Sequence, residues 1–123
     1  TRYVGSMRRE ILLVAADPGA RDFVLRYLRR HRVTVAASPR EAATLLAAHR
    51  YGLVLVTNFG VCPDEALAAI PARRDYPVLF LTGHITDRIE MACVEKTIPM
   101  LRIPEAIDML RGEIRLVLED LRI

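Results

Sequence analysis

The sequence predicts an α/β fold in which five parallel strands alternate with five helices. Short apolar runs recur along the chain, and each is followed within a few residues by a segment whose apolar residues have helical spacing. Runs that are apolar throughout are typical of strands buried on both faces of a parallel sheet. Short connections and right-handed crossovers then predict a flavodoxin-like doubly wound (βα)5 sandwich, with strand order 2-1-3-4-5 and helices on both faces of the sheet.

The first half of the chain contains three predicted strands and two predicted helices. Helix starts are indicated by Asp17 and Ser38, because both are residue types favoured at N-caps and each is followed by a proline. The third strand is apolar until it reaches Thr57, a polar residue at the point where the strand ends. The predicted elements of this half are strands 10–16, 32–37 and 51–57 and helices 17–31 and 38–50.

The second half contains two predicted strands and three predicted helices. Pro71 lies inside the first of these helices and is expected to stop or distort it. The last helix has a sustained apolar stripe for the core, and Met109 is an apolar residue off that stripe. The stripe consists of Ile107, Leu110, Ile114, Val117 and Leu121. The predicted elements of this half are helices 64–75, 86–96 and 104–123 and strands 77–83 and 99–103.

The composition is that of one globular domain with its own core. The chain has 123 residues, of which 52% are hydrophobic and 27% are charged, and this length is sufficient for a single buried core. Its longest apolar runs are too short to cross a bilayer, and residues 1–10 contain no apolar segment of a secretory signal. Residues 1–7 are predicted to be the remnant of an expression tag, and residues 8–123 a single domain.

Charge and cysteine content argue against several classes of function. The formal net charge is +3, and Lys96 is the only lysine. The densest basic run, residues 26–32, is a weak nucleic-acid patch because acidic residues are interspersed elsewhere in the chain. We therefore predict no direct nucleic-acid binding and no membrane association. Cys62 and Cys93 are far apart and lack metal-ligand spacing, so we predict no metal, disulfide or cofactor and favour a reducing cytoplasm.

Four stretches of the chain, taken in order, resemble the receiver domain of two-component response regulators. The resemblance covers the chain from about Arg8 to Leu121. Each stretch is a weak match by itself, and their order and intervals make the resemblance specific for the fold. The stretches are residues 11–28 (ILLVAADPGARDFVLRYL), 38–57 (SPREAATLLAAHRYGLVLVT), 76–83 (YPVLFLTG) and 100–118 (MLRIPEAIDMLRGEIRLVL).

The resemblance implies a phosphorylation site that has lost most of its chemical groups. Receivers hold Mg²⁺ with an acidic pair after the first strand and accept the phosphoryl group on an aspartate after the third strand. A hydroxyl residue after the fourth strand and a lysine after the fifth bind the phosphoryl oxygens. In this chain the corresponding residues are Ala15 and Ala16, Thr57, Thr82 and Ile103, with Asp17 matching an extra acid often found beside the pair and Pro104 the proline after the lysine.

A site of this composition implies a degenerate receiver, or pseudo-receiver, that is not an enzyme. A threonine alcohol is a weak nucleophile near neutral pH, and no His or Glu beside Thr57 in the sequence offers a base. We therefore predict a module of bacterial two-component-type signal transduction that acts through protein–protein interaction. Its predicted partners are a histidine kinase, an output domain or a second copy of the chain. The alternative is a small-ligand sensor whose crevice, at the C-terminal ends of the strands, is enlarged by Ala15 and Ala16.

The resemblance also implies an interaction face formed by the predicted fourth helix, the fifth strand and the last helix. Mixed charges on such a face can pair across the two-fold axis of a homodimer. They can equally form an ordinary solvated helix surface. The residues assigned to this face by segment are Arg88, Met91, Glu95, Arg102, Asp108, Arg111 and Glu119.

Overall fold

A computed structural model gives five parallel strands in the order β2-β1-β3-β4-β5, which confirms the predicted fold. It describes residues 10–29, 31–57, 70–71, 74, 76–83, 86–102 and 107–120. Most of the predicted helix 64–75 lies outside these residues. The strands are β1 (Ile11–Val14), β2 (Val33–Ala36), β3 (Leu53–Thr57), β4 (Val78–Thr82) and β5 (Met100–Arg102), and the helices are α1 (Pro18–Leu25), α2 (Pro39–Ala48), α3 (Asp87–Lys96) and α4 (Ile107–Asp120).

Both faces of the sheet are buried, because side chains alternate between two apolar clusters along each strand. On β3, Leu53 and Leu55 belong to one cluster and Val54 and Val56 to the other. Helices α1 and α4 cover the first cluster, and helices α2 and α3 cover the second. Within the residues described, no helix is long and apolar enough to span a membrane. The buried helix side chains of the first cluster are Val24, Leu110 and Ile114. Those of the second cluster are Ala42, Ile89 and Cys93.

Side-chain caps fix the start of three helices. The carboxylate of Asp17 accepts a hydrogen bond from the Ala20 backbone N–H at 2.8 Å, and the Ser38 hydroxyl accepts one from Glu41 at 3.1 Å. Thr86 caps α3 in the same way by accepting from the Ile89 N–H. Each cap satisfies a backbone donor that has no partner within the helix. The caps predicted at Asp17 and Ser38 are confirmed.

Helix α1 ends at Leu25, six residues before the predicted end at His31. Beyond Leu25 the chain continues in tighter turns, in which the Leu28 N–H donates to the Leu25 carbonyl and the His31 N–H to the Leu28 carbonyl. These turns bury Leu28 and lead directly to β2, whose start is set by a bond from the Ile11 N–H to the Arg32 carbonyl. The described residues of the basic run, 26–29 and 31–32, therefore follow the helix as turns and are not its last turn. Partial burial lowers the pKa of His31.

A polar clamp holds the C-terminal end of α3. Thr97 has a φ of 56° and lies in the left-handed region, which is unfavourable for a β-branched residue. Arg74 donates from Nη1 to the Lys96 carbonyl at 2.9 Å and from Nη2 to the Thr97 carbonyl at 3.1 Å. Lys96 in turn donates from Nζ to the Ile70 carbonyl at 2.7 Å. This Arg74–Lys96 clamp ties the segment before β4 to the end of α3 and supports the strained turn.

Candidate functional site at the carboxyl edge of the sheet

The predicted site residues meet at the edge of the sheet where the parallel strands end. β1 runs into Ala15, Ala16 and Asp17, β3 ends at Thr57 and β4 ends at Thr82. Strand pairing brings these ends together, because β3 is hydrogen-bonded to β1 on one side and to β4 on the other. The remaining predicted position, Ile103, lies outside the described residues, as do Asn58, Cys62, His84 and Pro104.

The Thr57 hydroxyl is buried and forms a hydrogen bond within the sheet. Its side chain is 1% exposed, and Oγ1 donates a hydrogen bond to the Val14 carbonyl at 3.2 Å. Thr57 shares a face of the sheet with Leu55 and Leu53, two and four residues earlier, so the hydroxyl enters a largely apolar layer. The bond ties the end of β3 to the end of β1 across 43 residues of sequence. It also satisfies a polar group that would be costly to bury alone.

Thr82 is also buried, with no exposed surface. Its side chain projects from the face of the sheet opposite to that of Thr57. The register pairs Thr57 with Leu81, and paired residues of a parallel sheet point to the same side. Thr82 is the next residue on β4 and therefore points to the side of Phe80, in the cluster covered by α2 and α3. The two hydroxyl groups thus lie at the same edge but enter different layers of the molecule.

The residues after β1 provide a helix cap in place of an acidic pair. Ala15 is buried in the cluster covered by α1 and α4, and Ala16 is exposed. Asp17 is half-buried, and its Oδ2 atom is committed to the Ala20 N–H. A Cβ atom on Gly19 would approach the same Oδ2 to 3.1 Å, so a glycine there leaves room for the cap. The capping role predicted for Asp17 accounts for its position.

The described part of this edge offers little for binding a metal ion or accepting a phosphoryl group. Among the described residues, no three His, Cys, Asp or Glu side chains form a group that could hold a metal. Mg²⁺ prefers carboxylate oxygens, and Ala15 and Ala16 supply none. The Thr57 oxygen is shielded from solvent and hydrogen-bonded to a carbonyl. Phosphoryl transfer to this atom would require the bond to open and a base to appear beside it.

Comparison with known proteins finds likeness in structure alone. No protein-family model matches the chain, and no curated protein matches it. A receiver domain protein from Methanospirillum hungatei superposes with a TM-score of 0.77 at 16% identity, covering 93% of this chain and 96% of the other. A chemotaxis protein from Vibrio cholerae gives a TM-score of 0.73 at 19% identity, covering 88% and 97%. A signal receiver domain of a DNA-binding response regulator from Colwellia psychrerythraea gives 0.73 at 19%, covering 89% and 98%.

The fold and the edge described above define an α/β protein of the doubly wound class, whose characteristic crevice lies at the carboxyl ends of the strands. Within that class, the chain has the fold of response regulator receiver domains. The similarity extends over nearly the full length of both chains in each of these pairs, so it includes the strand order and the helices together. The receiver fold predicted from the sequence is confirmed.

The structure places five of the seven residues predicted for the interaction face at exposed positions of α3, β5 and α4, and Arg111 on another flank of α4. Arg88, Met91, Glu95 and Arg102 are exposed on α3 and β5. Arg111 is placed elsewhere: its guanidinium carbon lies 5.3 Å from the centre of the Tyr27 ring, on the flank of α4 that faces the end of α1. Since α1 lies away from β5, this flank is not part of the predicted face. Asp108 is exposed, and the Glu119 side chain lies outside the described part of the structure.

Two exposed apolar residues, one on α3 and one on α4, were not assigned to the face from the sequence. Val94 is 71% exposed on α3, and Met109 is 59% exposed on α4. At 3.6 residues per turn Met109 lies on the opposite side of α4 from Arg111, toward β5. With Met91, which is 64% exposed, these are the large apolar side chains that the described surface exposes. The sequence signal for Met109 was its position off the core stripe of α4. We call Met91, Val94 and Met109 the apolar patch.

Proposed function

We propose that this chain is a receiver-fold module of bacterial two-component-type signalling that is not phosphorylated at the usual edge of the sheet and acts by binding proteins. The observation that carries the proposal is the buried hydrogen bond from Thr57 Oγ1 to the Val14 carbonyl. It supports a structural role for the residue that stands where receivers have their phosphoacceptor. The module is proposed to be non-enzymatic and cytoplasmic, with a histidine kinase, an output domain or a second copy as partner.

The electrostatics of the edge support the loss of phosphotransfer. An aspartyl phosphate adds negative charge that receivers neutralise with a metal ion and a lysine. Here Ala15 and Ala16 replace the metal ligands, and the hydrogen-bonding capacity of Asp17 is directed to the Ala20 N–H. The same features weaken the alternative of a small-ligand sensor, because the Thr57 hydroxyl and the Asp17 carboxylate both have internal partners.

Incubation with a small phosphodonor tests this proposal directly. We expect that acetyl phosphate and Mg²⁺ produce no gain of one phosphoryl group in the intact mass of the protein, because no carboxylate stands at the end of β3. A phosphorylatable receiver domain, treated in the same tube, is the positive control. A stable or acid-labile phosphoryl adduct on this chain, mapped to the 15–17 or 57–58 region, would contradict the proposal.

The apolar patch supports a protein partner at the face formed by α3, β5 and α4. Exposed large apolar side chains are typical of interaction sites, and α3 and α4 carry all three of those on the described surface. Helix α4, which carries Met109, contacts β5, a three-residue strand at the edge of the sheet. Exposed charges surround it, including Glu95 and Arg102, which suits a contact with an apolar centre and a polar rim. A second copy of the chain is the simplest occupant, since a two-fold axis can pair the same patch with itself.

Replacement of Met109 by Glu tests the patch. We expect wild-type protein to show a concentration-dependent increase in mass by sedimentation, and M109E to remain monomeric with self-affinity reduced by about tenfold or more, because a charge would be desolvated in the contact. Ala47→Glu, which adds the same charge at an exposed position on α2, is the matched control and should behave as the wild type. Self-association that M109E and A47E affect equally would rule out this face.

A further inference from the structure

A second surface, rich in arginine, is assembled where α4 packs beside the end of α1. Arg111 lies over the Tyr27 ring at 5.3 Å from its centre. Arg26 and Arg29 flank Tyr27 in the turns that follow α1, and both are exposed. Arg115 is exposed one helical turn beyond Arg111. We call these four residues the arginine patch: Arg26, Arg29, Arg111 and Arg115. The first and the last of them are more than eighty positions apart in the sequence.

The direction of the two helices brings the turns after α1 and the later turns of α4 to the same end of the molecule. Both α1 and α4 follow the carboxyl ends of parallel strands and therefore run antiparallel to the sheet, parallel to each other. The step from Arg111 to Arg115, about 6 Å along the axis, thus leads in the direction of the turns after α1, where Arg29 lies. The cation–π contact with Tyr27 fixes the starting point of this row.

The charge of the patch is not balanced by the described residues around it. Neither Arg26, Arg29, Arg111 nor Arg115 forms an ion pair with any of them, whereas Asp22 is paired with Arg21 at 3.1 Å.

The described acids of α4 leave most of this charge uncompensated. Glu113 is half-buried and, two residues from Arg111, lies on the opposite side of α4. Asp108, one turn before Arg111, is the described acid nearest to it on this helix. The side chains of Glu119 and Asp120 lie outside the description. Among the described side chains, the four guanidinium groups face the exposed carboxylate of Asp108, and the exposed carboxylate of Asp22 is paired with Arg21, so the described part of this surface carries an excess of positive charge.

We propose that the arginine patch docks an acidic segment of a partner protein. Guanidinium groups are planar and bind carboxylates with two parallel hydrogen bonds, and they remain charged throughout the physiological range. The stacking of Arg111 on Tyr27 reduces the rotamer freedom that the side chain would lose on binding. The inference rests on the proposed function in protein interaction, and it adds a site on the flank of α4 away from the apolar patch.

An acidic protein segment fits the patch better than a nucleic acid does. Single-stranded nucleic acids bind to basic surfaces that also present open aromatic faces for base stacking. Phe23 and Tyr27 are both half-buried, they pack edge to face against each other, and Arg111 covers the Tyr27 ring. The patch therefore presents carboxylate-binding groups without an open stacking surface.

Binding of a fluorescein-labelled glutamate-rich peptide, followed by anisotropy at low and raised salt, tests the proposal. We expect binding that salt weakens, and about a tenfold loss of affinity in each of the double variants R26Q/R29Q and R111Q/R115Q. The matched control is R40Q/R50Q, which removes two exposed arginines on α2 and just after it and should change affinity by no more than about twofold. Thermal unfolding checks that these surface variants keep the fold.

The outcomes separate this inference from the proposed function. Equal loss in R40Q/R50Q, or wild-type affinity in both patch variants, overturns the arginine patch as the site. Tighter binding of a single-stranded DNA oligonucleotide of similar charge, lost in the patch variants, overturns the assignment of an acidic protein. Either result leaves the phosphodonor experiment unaffected, whereas a phosphoryl adduct in that experiment overturns the proposed function whatever the peptide does.

Discussion

Replacing Thr57 by Asp is expected to destabilise the protein by about 3 kcal/mol at neutral pH without creating a phosphorylation site. Thr57 is 1% exposed, and its oxygen donates to the Val14 carbonyl. An ionised aspartate cannot donate, so its oxygen would face a carbonyl oxygen in an apolar layer. No carboxylate at Ala15 or Ala16 is present to recruit a cation that would offset this charge. Chemical denaturation measures the effect, and the phosphodonor assay checks for an adduct.

The pH dependence of T57D distinguishes buried charge from simple misfit. Burial raises the pKa of the introduced carboxyl in the folded state above its unfolded value of about 3.9. Below about pH 3.9 the carboxyl is protonated in both the folded and the unfolded state. In the folded state the protonated carboxyl can donate to the Val14 carbonyl, so no charge has to be buried. The excess destabilisation grows as the pH rises from about 3.9 and levels off above the folded pKa. We expect the variant and the wild type to differ least in acid.

Thr57→Val is the matched control for this experiment. Valine keeps the shape of threonine and removes only the hydroxyl, so we expect a loss of about 1–2 kcal/mol that does not depend on pH. If T57D and T57V lose the same free energy at neutral pH, the Thr57 side chain does not face the Val14 carbonyl in a buried environment. A phosphoryl adduct on T57D would show that the edge retains receiver chemistry without an acidic pair.

Replacing Arg74 by Ala is expected to cost about 2 kcal/mol. The guanidinium donates to three carbonyl oxygens, those of Pro71, Lys96 and Thr97, at 2.9–3.1 Å. Its loss removes the support of a left-handed Thr97 and frees the end of α3 from the segment before β4. Denaturant unfolding gives the magnitude, and amide hydrogen exchange at Thr97 and Ile98 should accelerate more than that of the core strands.

Two further variants make the Arg74 experiment specific. Arg40→Ala removes an exposed arginine on α2 and should alter stability by less than about 0.5 kcal/mol. Lys96→Met keeps the stem of the lysine and loses its bond to the Ile70 carbonyl. Because the clamp is one network, R74A and K96M should show a non-additive double-mutant cycle. Full additivity, or an R74A variant as stable as R40A, would contradict a shared role for the two side chains.

The sheet could be predicted from the sequence because its strands are continuous apolar runs. Residues such as Leu53 to Val56 are buried on both faces, so their pattern alone identifies a parallel strand, and short connections limit the strand orders available. The end of α1 could not be predicted in the same way. The apolar spacing that includes Val24 and Leu28 continues past Leu25, whereas the backbone changes to tighter turns that bury Leu28.

The candidate site was predictable in position and less so in contacts. Thr57 and Asp17 could be placed at the ends of strands, but the partner of the Thr57 hydroxyl depends on the register between β3 and β1. Arg111 lies beside α1 and Met109 is exposed on the other side of α4. The pattern of charges along α4 does not indicate which of its sides packs beside α1. Likewise, two of the three carbonyl partners of Arg74 lie 22 and 23 residues further along the chain.

Because of the Arg74–Lys96 clamp, the chemical reactivity of the Lys96 amine reports on the structure at the end of α3. Lys96 carries the only side-chain amine of the chain, and its Nζ atom is held against the Ile70 carbonyl. An amine-reactive reagent therefore modifies one side chain, and only while the clamp is open. The rate of that modification, separated from the terminal amine by peptide mapping, measures how often the end of α3 detaches. A partner that engages α3 would be detected as a change in the acylation rate of a single lysine, without any engineered label.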